Sequence, residues 1–380
     1  MRLMHRASPW RALFSEHGQL NRQAFMGPLA SLFSTQSLLD VRELADAYAW
    51  QPHLVDVLVR YELPAWRISQ VISDHNDWLY REAISLSLNE MQGQGWGLPP
   101  VSFCVLTLGS AARHESLLGP DQDNAMIIED YPDSRHLEID GYFQALGERF
   151  TQRLDEAGIP LCHGHVMARW PMWRKRAHEW HEQLALWSDD RRVKRVQQTN
   201  ILLDFFPVYG EQGLATRLGD SVMTLLPVAK LFLDEMAALL NELPVALDRL
   251  GRINAIHDAQ APHENALNLK RQGLMPLVSA VRLLALVYGC REISTHKRLI
   301  VLGSQCDALS TSQASTLRAG FERLQQLLLD QQRRNLTLGQ MADGWVDMAR
   351  LRDDQRHMLK FDLQQIKRLV SIAQEQAHRR

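Results

Sequence analysis

The sequence predicts an α+β core, a small sheet flanked by helices, set between an N-terminal helical segment and a C-terminal all-α helical bundle. Three observations predict it. First, three short and almost wholly apolar runs, VSFCVLTLG, AMIIED and ILLDFFPVYG, are separated by helical stretches, as strands buried on both faces of an α/β unit would be. Second, apolar residues recur at three- and four-residue steps from Pro64 to Met91 and again almost everywhere beyond Leu214, which is the helical period. Third, 380 residues is too much chain for one small core.

Residues 1–37 mix Trp, Phe, Gly and Ser with weak periodicity and read as a loosely ordered lead-in. Residues 38–95 form the N-terminal helical segment, in which Ile68, Val71, Ile72, Trp78, Leu79, Ile84 and Leu88 make one buried stripe. The connector GQGWGLPP ends it with three glycines and two prolines. The core, 96–212, starts with the strand VSFCVLTLG, crosses the polar stretch SAARHESLLGPDQDN, and enters the strand AMIIED. An amphipathic helix follows from Leu137 to Ala157, closed by Gly158, then the loop CHGHVMARWP and a Trp-rich helix from Met172 to Trp187. The third strand, ILLDFFPVYG, is stopped by Pro207. Residues 213–380 read as helix throughout, broken by short loops, with Gln, Arg and Asp on solvated faces.

Charge and cysteine usage narrow the function. Lys and Arg number 42 against 44 Asp and Glu, a net charge of −2, which argues against a chain that coats nucleic acid. Four cysteines lie far apart with no CxxC spacing, so a disulfide framework and a four-cysteine zinc ribbon are excluded and a reducing cytoplasm fits. The longest apolar stretch, LVSAVRLLALVYG, is interrupted by Arg282 and is too short to span a membrane. The expectation is a soluble cytoplasmic protein with no membrane partner.

The chemistry concentrates in LTLGSAARHESLLGPDQDNAMIIED. Gly109-Ser110 at the end of a buried strand lets backbone N–H groups approach a ligand, and triphosphate oxygens are a natural guest. Asp121 and Asp123, two residues apart at the mouth of the next strand, point to one side. They repel unless they share a cation, and Mg2+ takes one or two carboxylates with phosphate and water. Asp204 is the single charge in an apolar run, so it carries a desolvation cost unless paired or metal-bound. Three carboxylates opposite a Gly-Ser turn make a two-metal site for nucleotidyl transfer. Read as an isolated buried charge, Asp204 should be removable without loss of stability.

Gly109, Ser110, Arg113, Glu115, Leu118, Asp121, Gln122, Asp123 and Asn124, followed by an apolar strand, resemble the polymerase-β-like nucleotidyltransferases. More narrowly the chain is similar to the signal-transduction nucleotidyltransferases of the DUF294 type, relatives of the PII-protein uridylyltransferases. Cys162, Gly164, Val166, Met167 and Trp173 agree, as do Asp204, Pro207, Val208 and Gly210. The helical stretches NLKRQGLMPLVSAVRLLALVYG and STHKRL match the family's C-terminal domain. Phe206 stands where relatives place Arg, His163 and His165 where residues are smaller, and Asn268 where Asp is common.

The resemblance implies a nucleotidyltransferase core with a small mixed sheet. It also implies attack of an acceptor hydroxyl on the α-phosphorus of an NTP, with release of pyrophosphate. Asp121, Asp123 and Asp204 would be catalytic and hold two Mg2+ ions, Mn2+ being the alternative. Gly109, Ser110, Arg113 and Asn124 would bind the nucleotide, and Glu115 would pair with Arg113 or cap the local turn. The acceptor would be a regulatory protein or a small molecule, with a homodimer left open. The rival reading is a non-catalytic sensor that binds nucleotide in a degenerate fold.

Other constellations are weaker. Cys162, His163 and His165 with His178 or His181 fit no familiar zinc framework. His257, Asp258 and His263 read as an exposed interhelical loop rather than a phosphohydrolase site. Trp173, Trp180 and Trp187, at seven-residue steps, read as a packing stripe on one helix, with Trp170 beside it.

Overall fold

The computed structural model describes residues 41–189, 200–254 and 261–379; the lead-in of residues 1–37 and the pair His257-Asp258 lie outside the described residues. The chain divides into two compact units. The first comprises Met1–Gln183 with Asp204–Asp220, and the second comprises Leu184–Leu203 with Ser221–Arg380.

The first unit opens with α1 (Val41–Ala49), α2 (Gln51–Arg60) and the long α3 (Ala65–Gly93). Ile68, Val71, Ile72, Leu79 and Ile84 of the expected stripe are buried, with Trp78 and Leu88 half-buried at its edge. Between them a polar run, Asp74-His75-Asn76-Asp77, is buried as well, which the stripe does not foresee. The sheet contains β1 (Phe103–Leu108), β2 (Asn124–Ile128), β3 (Arg174–Arg176) and β4 (Phe205–Gly210), in the order β3-β2-β1-β4. β1 runs antiparallel to both β2 and β4, and β2 runs parallel to β3, so the sheet is mixed. Every residue of β1 and β2 is buried, the burial on both faces that their unbroken apolar runs require. A four-residue helix, α4 (Gly109–Ala112), caps β1, and α5 (His136–Glu156) packs with α3.

Two sequence expectations need correction here. The helix expected from Met172 starts later, as α6 (Ala177–Asp189). Residues 174–176 form β3 instead, because Arg174 is buried with its guanidinium donating to Asp140 and to the carbonyls of Ala168 and Arg169. Trp173 therefore precedes the helix, although Trp180 and Trp187 are both fully buried on it. The third strand begins at Phe205, not Ile201. Ile201 and Leu202 are helical and Asp204 sits in a bend. β4 is an edge strand, which is why Pro207 is tolerated in it. Gly210 closes it at φ +87°, and a Cβ there would collide with the Phe103 carbonyl oxygen opposite. Gly210→Ala is expected to cost about 3 kcal/mol or more, read as loss of soluble protein or a collapsed thermal transition.

The second unit is mostly helical: α7 (Gln212–Leu225, shared with the first unit), α8 (Lys230–Leu239), α9 (Met275–Val287), α10 (Thr295–Ser304), α11 (Thr311–Thr337) and α12 (Asp353–His378). All residues from Pro276 to Val287 are buried, so α9 is the central helix. Arg282 within it donates to the Asn200 side chain at 2.7 Å. The unit is not purely α. β5 (Ala266–Asn268) and β6 (Trp345–Asp347) form an antiparallel ribbon. Polar positions of α11 read from the sequence as solvated serve this ribbon. Gln332 donates to the Asp343 carbonyl, Asn335 donates to that of Met341, and Gln331 accepts from the Asp347 N–H.

Candidate active site

The site forms at the C-terminal end of the central strand, β1. The Leu108 N–H donates to the Asp123 carbonyl at 3.0 Å, and the next N–H, of Gly109, donates to the Asp204 carbonyl at 2.9 Å. Successive N–H groups of a strand point to opposite neighbours, so the two acids flank the strand end on either side. Gly109 sits at φ +59°, while a Cβ there would make only an ordinary contact with the Asp123 carboxylate. The glycine is therefore required for its backbone angle. Its N–H is committed to the Asp204 carbonyl. The Ser110 hydroxyl is half-buried and has no partner among the described residues.

In the DQDN run, side chains alternate in and out. Gln122 is fully buried and donates to the carbonyls of Thr151 and Ile159, both at 2.8 Å. This inward anchor leaves Asp121 exposed and Asp123 half-exposed on the other side. The bonds that anchor Gln122 depend on the end of α5, 29 positions away. Asn124 is also fully buried. Its Oδ1 accepts from the Ala168 N–H at 2.8 Å and its Nδ2 donates to the Tyr80 hydroxyl at 3.3 Å. Its amide holds the loop at 166–168 and α3 to the sheet.

Ligand atoms of Asp121, Asp123 and Cys162 lie within 4.8 Å of one another. Burial first, and then the adjacent Asp123 carboxylate, push the Cys162 thiol up to about 12, so it is protonated near neutrality. Two hard carboxylate oxygens can hold a divalent cation, with the thiol as a softer neighbour. The donors present thus fit a hard divalent cation. No histidine joins this group among the described residues, contrary to the zinc alternative. Tyr80 lies close enough that burial, and then the charges of Asp123 and Asp121, raise its phenol above the usual range despite the Asn124 hydrogen bond.

Asp204 is fully buried and lies outside that group. Its Oδ2 accepts from Arg113 Nη1 at 2.7 Å, and Arg113 Nε donates to Glu115, also at 2.7 Å. Burial would lower the Arg113 pKa, but the carboxylates of Glu115 and Asp204 outweigh it and hold the guanidinium charged. Of the three carboxylates singled out in the sequence, Asp121 and Asp123 lie together, while Asp204 is engaged by an arginine 91 positions away in sequence. Phe206 packs against the His114 ring, with centroids 4.9 Å apart and planes at 76°.

Residues 50–194 match the family described as "Putative nucleotidyltransferase DUF294", and residues 230–377 match "Putative nucleotidyltransferase substrate binding domain". The chain belongs to this nucleotidyltransferase family. Asp121, Asp123 and Cys162 lie inside the first match, while Asp204 falls between the two. A comparison with curated proteins returned no match. The acid pair and the Gly109 turn thus occur in a nucleotidyltransferase that carries its family's substrate-binding domain. No described helix is long and apolar enough to cross a membrane, and all four cysteines are free.

Proposed function

We propose that this nucleotidyltransferase moves a nucleoside monophosphate from an NTP to an acceptor hydroxyl and releases pyrophosphate. The observation that carries this reading is the Asp121–Asp123 pair, held on one side of the strand end by Gln122 and facing the Gly109–Ser110 turn. Asp121 and Asp123 would hold a divalent cation, and Asp204 would be the ligand of a second if one binds; such ions would supply Lewis-acid charge to the transfer. The chain's own groups do the rest. The Ser110 hydroxyl and the N–H groups that open α4 donate to β- and γ-phosphate oxygens. Arg113, kept charged by its two acids, is the cation beside Asp204. The acceptor oxygen bonds to the α-phosphorus and its proton passes to Asp204. The bond from the α-phosphorus to the bridging oxygen breaks, and its electron pair leaves with pyrophosphate.

The acceptor we propose is a hydroxyl on a regulatory protein of the PII kind, uridylylated or adenylylated, or on a small molecule. The substrate-binding domain supports a dedicated acceptor, and the absence of a basic excess disfavours tRNA. One observation favours the rival sensor: Asp204 is tied to Arg113 and stands apart from the acid pair. Incubation with each of the four NTPs and Mg2+ separates the two readings. Pyrophosphate release, with a mass gain of one nucleoside monophosphate on a protein from the native extract, is expected of the transferase. Nucleotide binding without release would leave the sensor.

A further inference from the structure

Behind the phosphate turn lies a buried charge cluster that the proposed chemistry does not use. Asp74 and Asp77, one helical turn apart on α3, are almost completely enclosed. The His114 imidazole lies between them, Nδ1 at 3.3 Å from Asp74 Oδ1 and Nε2 at 3.5 Å from Asp77 Oδ2. The second oxygen of each carboxylate, Asp74 Oδ2 and Asp77 Oδ1, is buried without a hydrogen-bond partner among the described residues. Burial, opposed by His114 and Arg81 and assisted by Asp74, pushes Asp77 up to about 6. Two enclosed acids with half their acceptors unmet are an expensive arrangement, since such groups normally find partners.

His114 itself is strained. Its φ is +56°, a left-handed angle that is unfavourable for a non-glycine residue. Its carbonyl lies 3.5 Å from the Ser69 hydroxyl, its ring meets Phe206 edge-on, and the Ser116 N–H donates to Ser73. The peptide braced in this way lies between Arg113, which pairs with Asp204, and Glu115, which accepts from Arg113 Nε.

We propose that His114 is a positioning residue of the site: braced by Asp74, Asp77 and Phe206, it holds the 113–115 peptide so that Arg113 reaches Asp204. This claim rests on the nucleotidyltransferase reading for its effect on turnover, but not for its effect on Arg113. Side-chain removal alone is the test, and His114→Gly performs it, because glycine accepts φ +56° without strain. His114→Asn, also tolerant of left-handed angles, keeps one short polar contact.

In full-length protein, His114→Gly is expected to lower kcat for pyrophosphate release about 10- to 100-fold while KM for the NTP stays within about twofold. His114→Asn should fall between it and wild type. The Arg113 Nε–H resonance, expected to exchange slowly in the wild type because Glu115 accepts from it, should broaden or vanish in His114→Gly. If that resonance and kcat are unchanged in both variants, the proposal is overturned. It is equally overturned if activity across the series merely tracks melting temperature. A wild-type chain that releases no pyrophosphate from any NTP defeats the catalytic reading instead, and the Arg113 resonance alone then decides the positioning claim.

Discussion

Asp121→Asn/Asp123→Asn is expected to abolish NTP-dependent pyrophosphate release, a fall of about a thousandfold or more, while leaving the protein folded. The size follows from the task. The two carboxylates are the donors that fit a hard cation, and charge stabilisation by such an ion supplies several kcal/mol that an amide oxygen does not replace. Retention of the fold follows from where the run is anchored. Gln122 donates inward to Thr151 and Ile159, its N–H donates to Pro160, and the Asp123 carbonyl receives the Leu108 N–H. None of these bonds involves either carboxylate. Asp121 is exposed and Asp123 half-exposed, so removing two adjacent like charges should leave the melting temperature unchanged or raise it. Steady-state pyrophosphate assays and a thermal melt on one preparation check both halves. Turnover that survives the double substitution would remove the catalytic assignment.

Much of this site is legible in the sequence because it is local. A strand of period two with a pair of acids at its mouth already implies that Asp121 and Asp123 share a side and that Gln122 faces the other way. Gly109 is likewise legible as a strand-end glycine. What the sequence hides is pairing over distance. Arg113 is separated from Asp204 by 91 positions, and His114 from Asp74 by 40, and nothing local announces either contact. The buried polar run of α3 looks like one turn of an ordinary amphipathic helix until β4 and the phosphate turn are packed on it. β3 and the β5–β6 ribbon fail for a related reason. Three-residue strands such as RKR and WVD carry no usable periodicity, and their pairing depends on Arg174, Gln331 and Gln332 bonding to remote backbone.

Asp204→Ala is expected to abolish transfer and also to destabilise the protein, by about 3 kcal/mol. This reverses the expectation drawn from an isolated buried charge. The carboxylate is not isolated: Arg113 Nη1 lies 2.7 Å from it in an enclosed pair. Removing one partner of such a pair strands the other, and that costs about 3–5 kcal/mol in typical cases. The lower end applies because Glu115 still accepts from Arg113 Nε. The backbone contribution is separable, since Gly109 donates to the Asp204 carbonyl, which alanine keeps. Asp204→Asn, which keeps the shape and an acceptor for Arg113, should lose activity as completely but cost only about 1 kcal/mol. Urea unfolding followed by tryptophan fluorescence, with activity measured in parallel, distinguishes these cases. An Asp204→Ala variant as stable as the wild type would mean that Arg113 relaxes into solvent or onto Glu115 at no cost. The buried pair would then not be what fixes the geometry of the turn.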